Sequence, residues 1–408
     1  MNPPPIVYAT VDGVLQPLGY SQVFRLIEGL VDRGWPYVLV SAERASDLDD
    51  KPRVARLEGK LQRLGVPWHR IRYASGSARD AAANLFRFTH AVVSACRSAR
   101  SWLVHARSYH GGAAALTARG LTRVPYLFDA RSYWVDERVD GGRWFRDPRV
   151  LRSARSVERQ LYRRSLGFVG LTELQAEDVR SGKFGRYRGP AIAIPTCADY
   201  ADFASADGSI ALPSPLDRST GPLVGLVGST NPSYKTERSL VLARKILEQR
   251  TDARLLILTG QQTEFAALVE AEGIDSTRTA IRKVPHEQMP AWLREVDWGI
   301  MLLNSTPAKR ASVPTKLAEF FAAGVRPIHH GCNDEVTDWV RRAGSGIVLD
   351  RVDDGALAEA AKTVAESDDS ASAEALLAEA RERTRAHFDL QSGIDRYDQL
   401  LHQLQRSR

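Results

Sequence analysis

Apolar and polar positions follow two periods along this chain. Short apolar runs, such as residues 6–11 and 223–227, read as strands buried on both faces. Longer stretches place apolar residues three and four apart. Val23, Leu26, Ile27, Leu30 and Val31 predict a helix over 21–33, stopped by Gly34, before a second strand at 37–41. Further strands are predicted at 68–73, 102–105, 126–128, 167–172 and 191–194. After them come 223–227, 255–258 and 281–284, with 338–342 and 347–349 completing a second sheet. Repeated strand–helix alternation predicts an α/β chain with parallel sheets and right-handed crossovers. Turn-forming residues crowd 207–222, which marks a linker between a domain at 1–206 and another at 223–390. The last helical segment, 391–408, is a candidate to cross back to the first domain.

Composition agrees with two domains. A chain of 408 residues is too long for one core and divides into units of roughly 200 residues. Its three cysteines, Cys96, Cys197 and Cys332, are scattered and in no metal-ligand spacing, so free thiols in a reducing cytoplasm are expected. The first residues lack the pattern of a secretory signal, and no apolar run approaches the roughly 18 residues of a membrane span. A formal net charge of +7 favours an anionic partner, which leaves nucleotide, nucleic acid and anionic lipid open. The acidic run Asp47–Asp50 reads as solvated loop, and His105 and His110 lack a third partner, so no metal site is expected.

The chemistry concentrates in a few stretches. Residues 311–331 predict a short helix running into a buried strand. Ser312 sits where an N-cap belongs, Pro314 falls in the first turn and Gly324 takes the left-handed closing position. Lys316 and Glu319 share one face, and the first-turn N–H groups with Lys316 favour an anion. Spacing alone is equally met by a surface helix with one ion pair. At 126–128 a buried strand gives way abruptly to Asp129, Arg131, Tyr133, Trp134, Asp136 and Glu137, where an open α/β sheet puts its ligands. The loop after the first strand carries Gly13 and Gly19 but no G-x-G-x-x-G fingerprint. Arg149, Arg152, Arg155, Arg159 and Arg163 fall on one helical face, with Val150, Ala154, Val157 and Leu161 opposite. Such a stripe suits an anionic membrane or acceptor, or simply solvent.

The order S-x-P-T-K-L-A-E-x-x-A-A-G-x-x-P-I at 312–328 resembles the donor-binding signature of family 4 glycosyltransferases. Residues 128–138 resemble an F-D-x-R-G-x-W-x-D-E-R motif of a subset of that family, and 194–199 an I-P-x-x-x-D segment. The resemblance implies the GT-B fold, two Rossmann-like domains with mainly parallel sheets facing across a cleft. It implies that Ser312, Thr315 and Lys316 face a sugar nucleotide's diphosphate and Glu319 its ribose. Lys235 would neutralise the diphosphate, with Ser229 standing where the family carries an arginine. Gly19, and after it Gly13, would face the donor, while Asp129 and Arg131 become acceptor-side or catalytic residues. Ala311 replaces a glutamate found in many members, and no histidine stands near Asp129. The implied reaction moves a sugar from a nucleotide diphosphate-sugar to the hydroxyl of a small-molecule, glycan or lipid-linked acceptor. It would retain configuration and use no metal and no cofactor beyond the donor. Peripheral contact with the inner membrane face would run through the arginine stripe, and no nucleic acid is expected. A nucleotide-sugar epimerase and an inert nucleotide-sugar-binding partner protein are the alternatives.

Overall fold

The computed structural model describes every residue except 1–2, 75–76, 143–146, 206–211, 213–215, 217–220, 368–370 and 408. The chain packs as two compact units, Met1–Pro195 with Gly393–Arg408, and Thr196–Ser392. Most of the expected linker at 207–222 lies outside the described residues. The helix Tyr200–Ser205, placed in the first domain by the sequence, belongs to the second unit. Local bonding explains this. The Tyr200 hydroxyl lies 3.0 Å from that of Thr384, and Leu390 donates its N–H to Ala198 at 2.8 Å.

The first unit is built on seven strands: β1 Ile6–Thr10, β2 Tyr37–Arg44, β3 Trp68–Tyr73, β4 Leu103–Arg107, β5 Tyr126–Asp129, β6 Gly167–Gly170 and β7 Ala191–Ala193. They lie in the order β3-β2-β1-β4-β5-β6-β7, each neighbouring pair parallel. β1 and β4 are buried along their whole length, as a sheet covered by helices on both faces requires. The final helix, Leu390–Arg406, joins this unit from Gly393 onward. Its Tyr397, Leu401 and Leu404 are buried, and Trp35 donates its indole N–H to Asp398 at 2.6 Å.

The second unit carries β8 Leu223–Val227, β9 Arg254–Leu258, β10 Thr279–Arg282, β11 Trp298–Leu302, β12 Arg326–His330 and β13 Ile347–Val348. Their order is β10-β9-β8-β11-β12-β13, again all parallel. Strand order reverses between β1 and β4 in one sheet and between β8 and β11 in the other. Crevices at the carboxyl ends of such switch points are where open parallel sheets take ligands.

Two local readings need correction. Residues 338–342 belong to the helix Asp334–Ala343, because Asn333 caps it by accepting the Val336 N–H at 3.0 Å and Gly344 closes it in the left-handed region. Residues 45–49 form a short helix, and Asp50 then caps the helix Lys51–Arg63.

Candidate functional site

In the second unit the switch point is defined by the loop that leaves β8. Gly228 turns the chain at φ +118°, a value open to glycine alone in practice. The loop is then pinned from several directions. Thr230 donates its N–H to Gln261 at 2.9 Å, Asn304 donates to Ser233 at 2.9 Å, and Lys235 donates to Leu302 at 2.9 Å. Tyr234 pairs with Leu303 in an isolated antiparallel bridge. The loop is thus tied to the ends of both β9 and β11.

Lys316 reaches across this switch point. Its Nζ donates to the Val227 carbonyl and lies 3.9 Å from the centre of the Tyr234 ring. A Cβ on Gly228 would come within 3.3 Å of the same nitrogen, so the glycine also makes room for the amine. Gly228, Ser229, Tyr234, Thr236 and Lys316 line a common pocket. Burial pulls the Lys316 pKa down to about 8, with Glu319 opposing the shift. Burial likewise pushes Glu319 up to about 7, against the pull of Lys316. The two groups therefore stand one helical turn apart with both protonation equilibria drawn toward neutrality.

The helix bearing them runs Thr315–Ala323 and ends at Gly324 in the left-handed conformation, as expected. Its N-cap, however, is Pro314, with no side-chain bond, and not Ser312. Proline keeps Val313 out of the helical region, so the helix cannot begin directly after Ser312. Ser312 is extended instead, and its carbonyl accepts from the Asn333 amide at 2.7 Å. Thr315 holds the first helical position. Lys235 is the N-cap residue of the neighbouring helix Thr236–Gln249, and Ser229 is exposed at the lip. Ala311 is completely buried, closing a 3₁₀ turn at Pro307–Ala311.

In the first unit, Asp129 ends β5 with no exposed surface. Its Oδ2 accepts from the Tyr397 hydroxyl at 3.1 Å, with Arg107 at 3.6 Å and His105 at 3.8 Å, while Arg131 stands 3.5 Å from Oδ1. Burial would raise the Asp129 pKa, but Arg131, His105 and Arg107 outweigh it and hold the carboxyl well below the usual range. Arg107 turns its other edge to Asp12, donating at 2.8 Å, and Asp12 is partly exposed on the loop after β1. Arg131 at φ +64° and Ser108 at φ +61° both sit just beyond strand ends in the left-handed region. For side chains with a Cβ this costs on the order of 1–2 kcal/mol each. Asp129 thus holds Arg107 and Arg131, and Arg107 in turn holds the partly exposed Asp12.

Gly19 and Gly13 meet back to back: a Cβ on Gly19 would fall 2.0 Å from the Gly13 carbonyl oxygen. Buried Glu43 fixes the same loop, accepting N–H bonds from Val14 at 3.0 Å and Leu15 at 3.2 Å. The arginine stripe differs from its expectation. On the helix Pro148–Arg164 the inner face is Glu158, Leu161 and Tyr162, whereas Val150 and Val157 are half exposed. Arg155 turns inward to Asp136 and Glu158 and leaves the stripe, because Glu158 is buried against the Tyr109 hydroxyl and takes a charged partner there. Arg149, Arg152, Arg159 and Arg163 remain exposed. Among the described residues, no group of three or more His, Cys, Asp or Glu side chains is placed to hold a metal, and no helix is long and apolar enough to cross a membrane.

Residues 21–196 match the model of the glycosyl transferase 4-like domain. Solved structures match nearly end to end. Sucrose-phosphate synthase from Thermosynechococcus elongatus aligns with a TM-score of 0.71 at 17% identity, covering 99% of this chain and 100% of its own. HepE from Anabaena, in complex with UDP and glucose, gives 0.68 at 12% identity over 98% and 99%. α,α-Trehalose 6-phosphate synthase from Burkholderia multivorans gives 0.68 at 14% identity over 100% of both chains. Residues 21–196 are thus similar to a glycosyl transferase 4-like domain, and the whole chain has the GT-B fold. A structure from Listeria monocytogenes described as a putative UDP-N-acetylglucosamine 2-epimerase shares the fold at a TM-score of 0.62 and 11% identity. No curated protein matches the sequence significantly.

Several residues that shape these two sites carry no clear signal in the sequence. Tyr234 and Gly228 sit in a polar loop with no periodicity to mark them. Arg107 lies inside a strand, where a charge signals only burial with a partner, and Tyr397 lies on a helix far along the chain. Asp12, directly after the first strand, carried the one usable signal: a carboxylate at the end of a buried apolar run.

Proposed function

We propose that this chain is a transferase that moves a hexosyl group from a nucleotide diphosphate-sugar to an acceptor hydroxyl, with retention of configuration and without a metal ion. One observation carries the reading: Lys316 and Glu319 stand together beside Gly228 at the switch point of the second sheet. A departing diphosphate gathers negative charge, and groups already aimed at that charge stabilise the transition state. An ammonium has three donors, and Val227 engages one, so Lys316 can add phosphate oxygens without giving up its anchor. The first-turn N–H groups of Thr315–Ala323 and Lys235 support the same anion, Ser229 replaces a cation with a hydroxyl, and Glu319 accepts from ribose hydroxyls. HepE's complex with UDP and glucose makes UDP the first nucleotide to try. Cys96, Cys197 and Cys332, all buried, suit a reducing cytoplasm.

A thermal-shift screen of the full chain against nucleoside diphosphates and UDP-glucose tests the reading. Ligand at a hundred times its Kd should stabilise the fold by about 2.7 kcal/mol. Lys316→Met should lose most of that shift, and EDTA should leave transfer unchanged. A screen in which no nucleoside diphosphate stabilises the chain overturns the donor assignment.

A further inference from the structure

The first unit holds a second concavity that the donor reading leaves unused. It opens at the carboxyl ends of β1, β2 and β3, beside the residue that precedes Asp12, and encloses about 50 Å³. Val11, Ala42, Ile71, Leu85 and Phe88 form apolar walls, Tyr73 stands at the rim, and His110 supplies a polar edge. The walls are set by the first half of the helix Ala78–Ser98. There Asn84 is buried and brackets the end of β3, accepting the Ala74 N–H at 3.2 Å and donating to its carbonyl at 2.6 Å. Arg87 donates to the same Asn84 oxygen at 2.8 Å, so that side chain is committed to holding the wall.

Two features separate this groove from a packing gap. Large apolar side chains lie open at its rim: Tyr73 and Leu85 are each 40% exposed. Exposed apolar surface gathered at one concavity marks a binding site more often than scattered single residues do. The second is His110. Among the described residues neither of its ring nitrogens has a hydrogen-bond partner, and its one ring contact is edge-on to Trp134 at 5.8 Å. Burial and the nearby Arg138 lower its pKa, so a neutral imidazole with a vacant acceptor nitrogen borders an apolar slot.

We propose that this groove binds a short apolar group of the acceptor and that His110 receives a hydrogen bond from an acceptor hydroxyl. The acceptor is then an amphiphile, a hydroxyl-bearing ring joined to an alkyl chain, and not a bare sugar. The proposal rests on the transferase reading for the word acceptor but not for the binding itself. About 50 Å³ is room for only a few water-sized groups, so it takes a few methylenes and not an entire lipid.

Calorimetric titration of the full chain with methyl, butyl, hexyl and octyl β-D-glucoside, below micelle-forming concentrations, tests it. Each added methylene should strengthen binding about fourfold until the groove is full. Ala81 is exposed at the groove's edge, so Ala81→Trp should fill the slot without disturbing the core. That variant should bind octyl glucoside at least tenfold more weakly and keep its thermal shift with UDP. His110→Phe should weaken every member of the series by a similar factor. Equal affinity for methyl and octyl glucoside, or unchanged octyl binding in Ala81→Trp, overturns the groove. If octyl glucoside binds as expected while no nucleotide shifts the melting, the groove stands and the transferase reading fails.

Discussion

The Tyr397 hydroxyl donates a 3.1 Å hydrogen bond to Oδ2 of Asp129, a residue 268 positions earlier. Through this bond the last helix of the chain holds the buried carboxylate that positions Arg107 and Arg131. Nothing in either local sequence announces it.

Tyr397→Phe should lower the stability of the first unit by about 1–3 kcal/mol, the usual cost of leaving a buried acceptor short of a partner. Asp129→Ala should cost more, about 3–5 kcal/mol, because Arg107 and Arg131 lose their buried counter-ion. Urea unfolding followed by tryptophan fluorescence reads both. The low pKa of Asp129 fixes the sign with pH. Its contribution is complete above the ordinary carboxylate pKa of about 4 and is lost as pH falls below it. An equal loss for the two variants would contradict the ion-pair account.

Gly228→Ala imposes a disfavoured φ and brings a methyl group to Lys316 Nζ. We expect a loss of about 1–3 kcal/mol from the backbone conformation. Nucleotide affinity should fall as well, since the amine must shift. Ser229→Ala, one residue along on the exposed lip, is the comparison. If titration calorimetry finds the glycine variant binding UDP as tightly as the parent, the pocket at Gly228 is not where the nucleotide sits.

The pair Lys316 and Glu319 predicts a pH optimum for binding. Glu319 must ionise to accept two hydroxyl bonds, so affinity rises through about pH 7. Lys316 must stay protonated to meet phosphate, so affinity falls above about pH 8. UDP-glucose is the suitable ligand, since its bridging diphosphate does not titrate in that interval. Glu319→Gln should remove the acid limb and cost roughly tenfold or more in affinity, in line with the 1.5–3 kcal/mol of a charged hydrogen bond. The loss should be smaller with a 2′-deoxyribonucleotide. Because its folded pKa is raised, Glu319 also makes the second unit less stable as pH climbs toward about 7, and Glu319→Gln should abolish that slope. A flat affinity profile from pH 6 to 9 would falsify the assignment.

Arg149, Arg152, Arg159 and Arg163 are expected to bring the protein to anionic vesicles at low salt, at about 1 kcal/mol for each residue near the surface. Replacing Arg152, Arg159 and Arg163 with Gln should release it from vesicles containing phosphatidylserine in a sedimentation assay. Arg155 is left in place, since its ion pairs with Asp136 and Glu158 belong to the fold. If the parent protein ignores such vesicles, the membrane contact is withdrawn and a soluble acceptor remains.

The sequence by itself determined the alternation of strands and helices, and with it two parallel sheets. Hydrophobic period is a local property and survives without neighbours. It also placed Lys316 and Glu319 on one face and stopped their helix at Gly324, since helical spacing and left-handed glycine are set within a few residues. What only the tertiary structure decided is who meets whom across strands. The Ser312 carbonyl, just ahead of that helix, accepts from Asn333 on a later element, a contact no local pattern announces. Arg155 left the basic stripe because Asp136 and buried Glu158 draw it inward. Asp129 became a buried anchor because Arg107 comes from a neighbouring strand and Tyr397 from the far end of the chain. Charges and hydrogen bonds act over a few ångströms, and which residues lie within that reach is settled by packing.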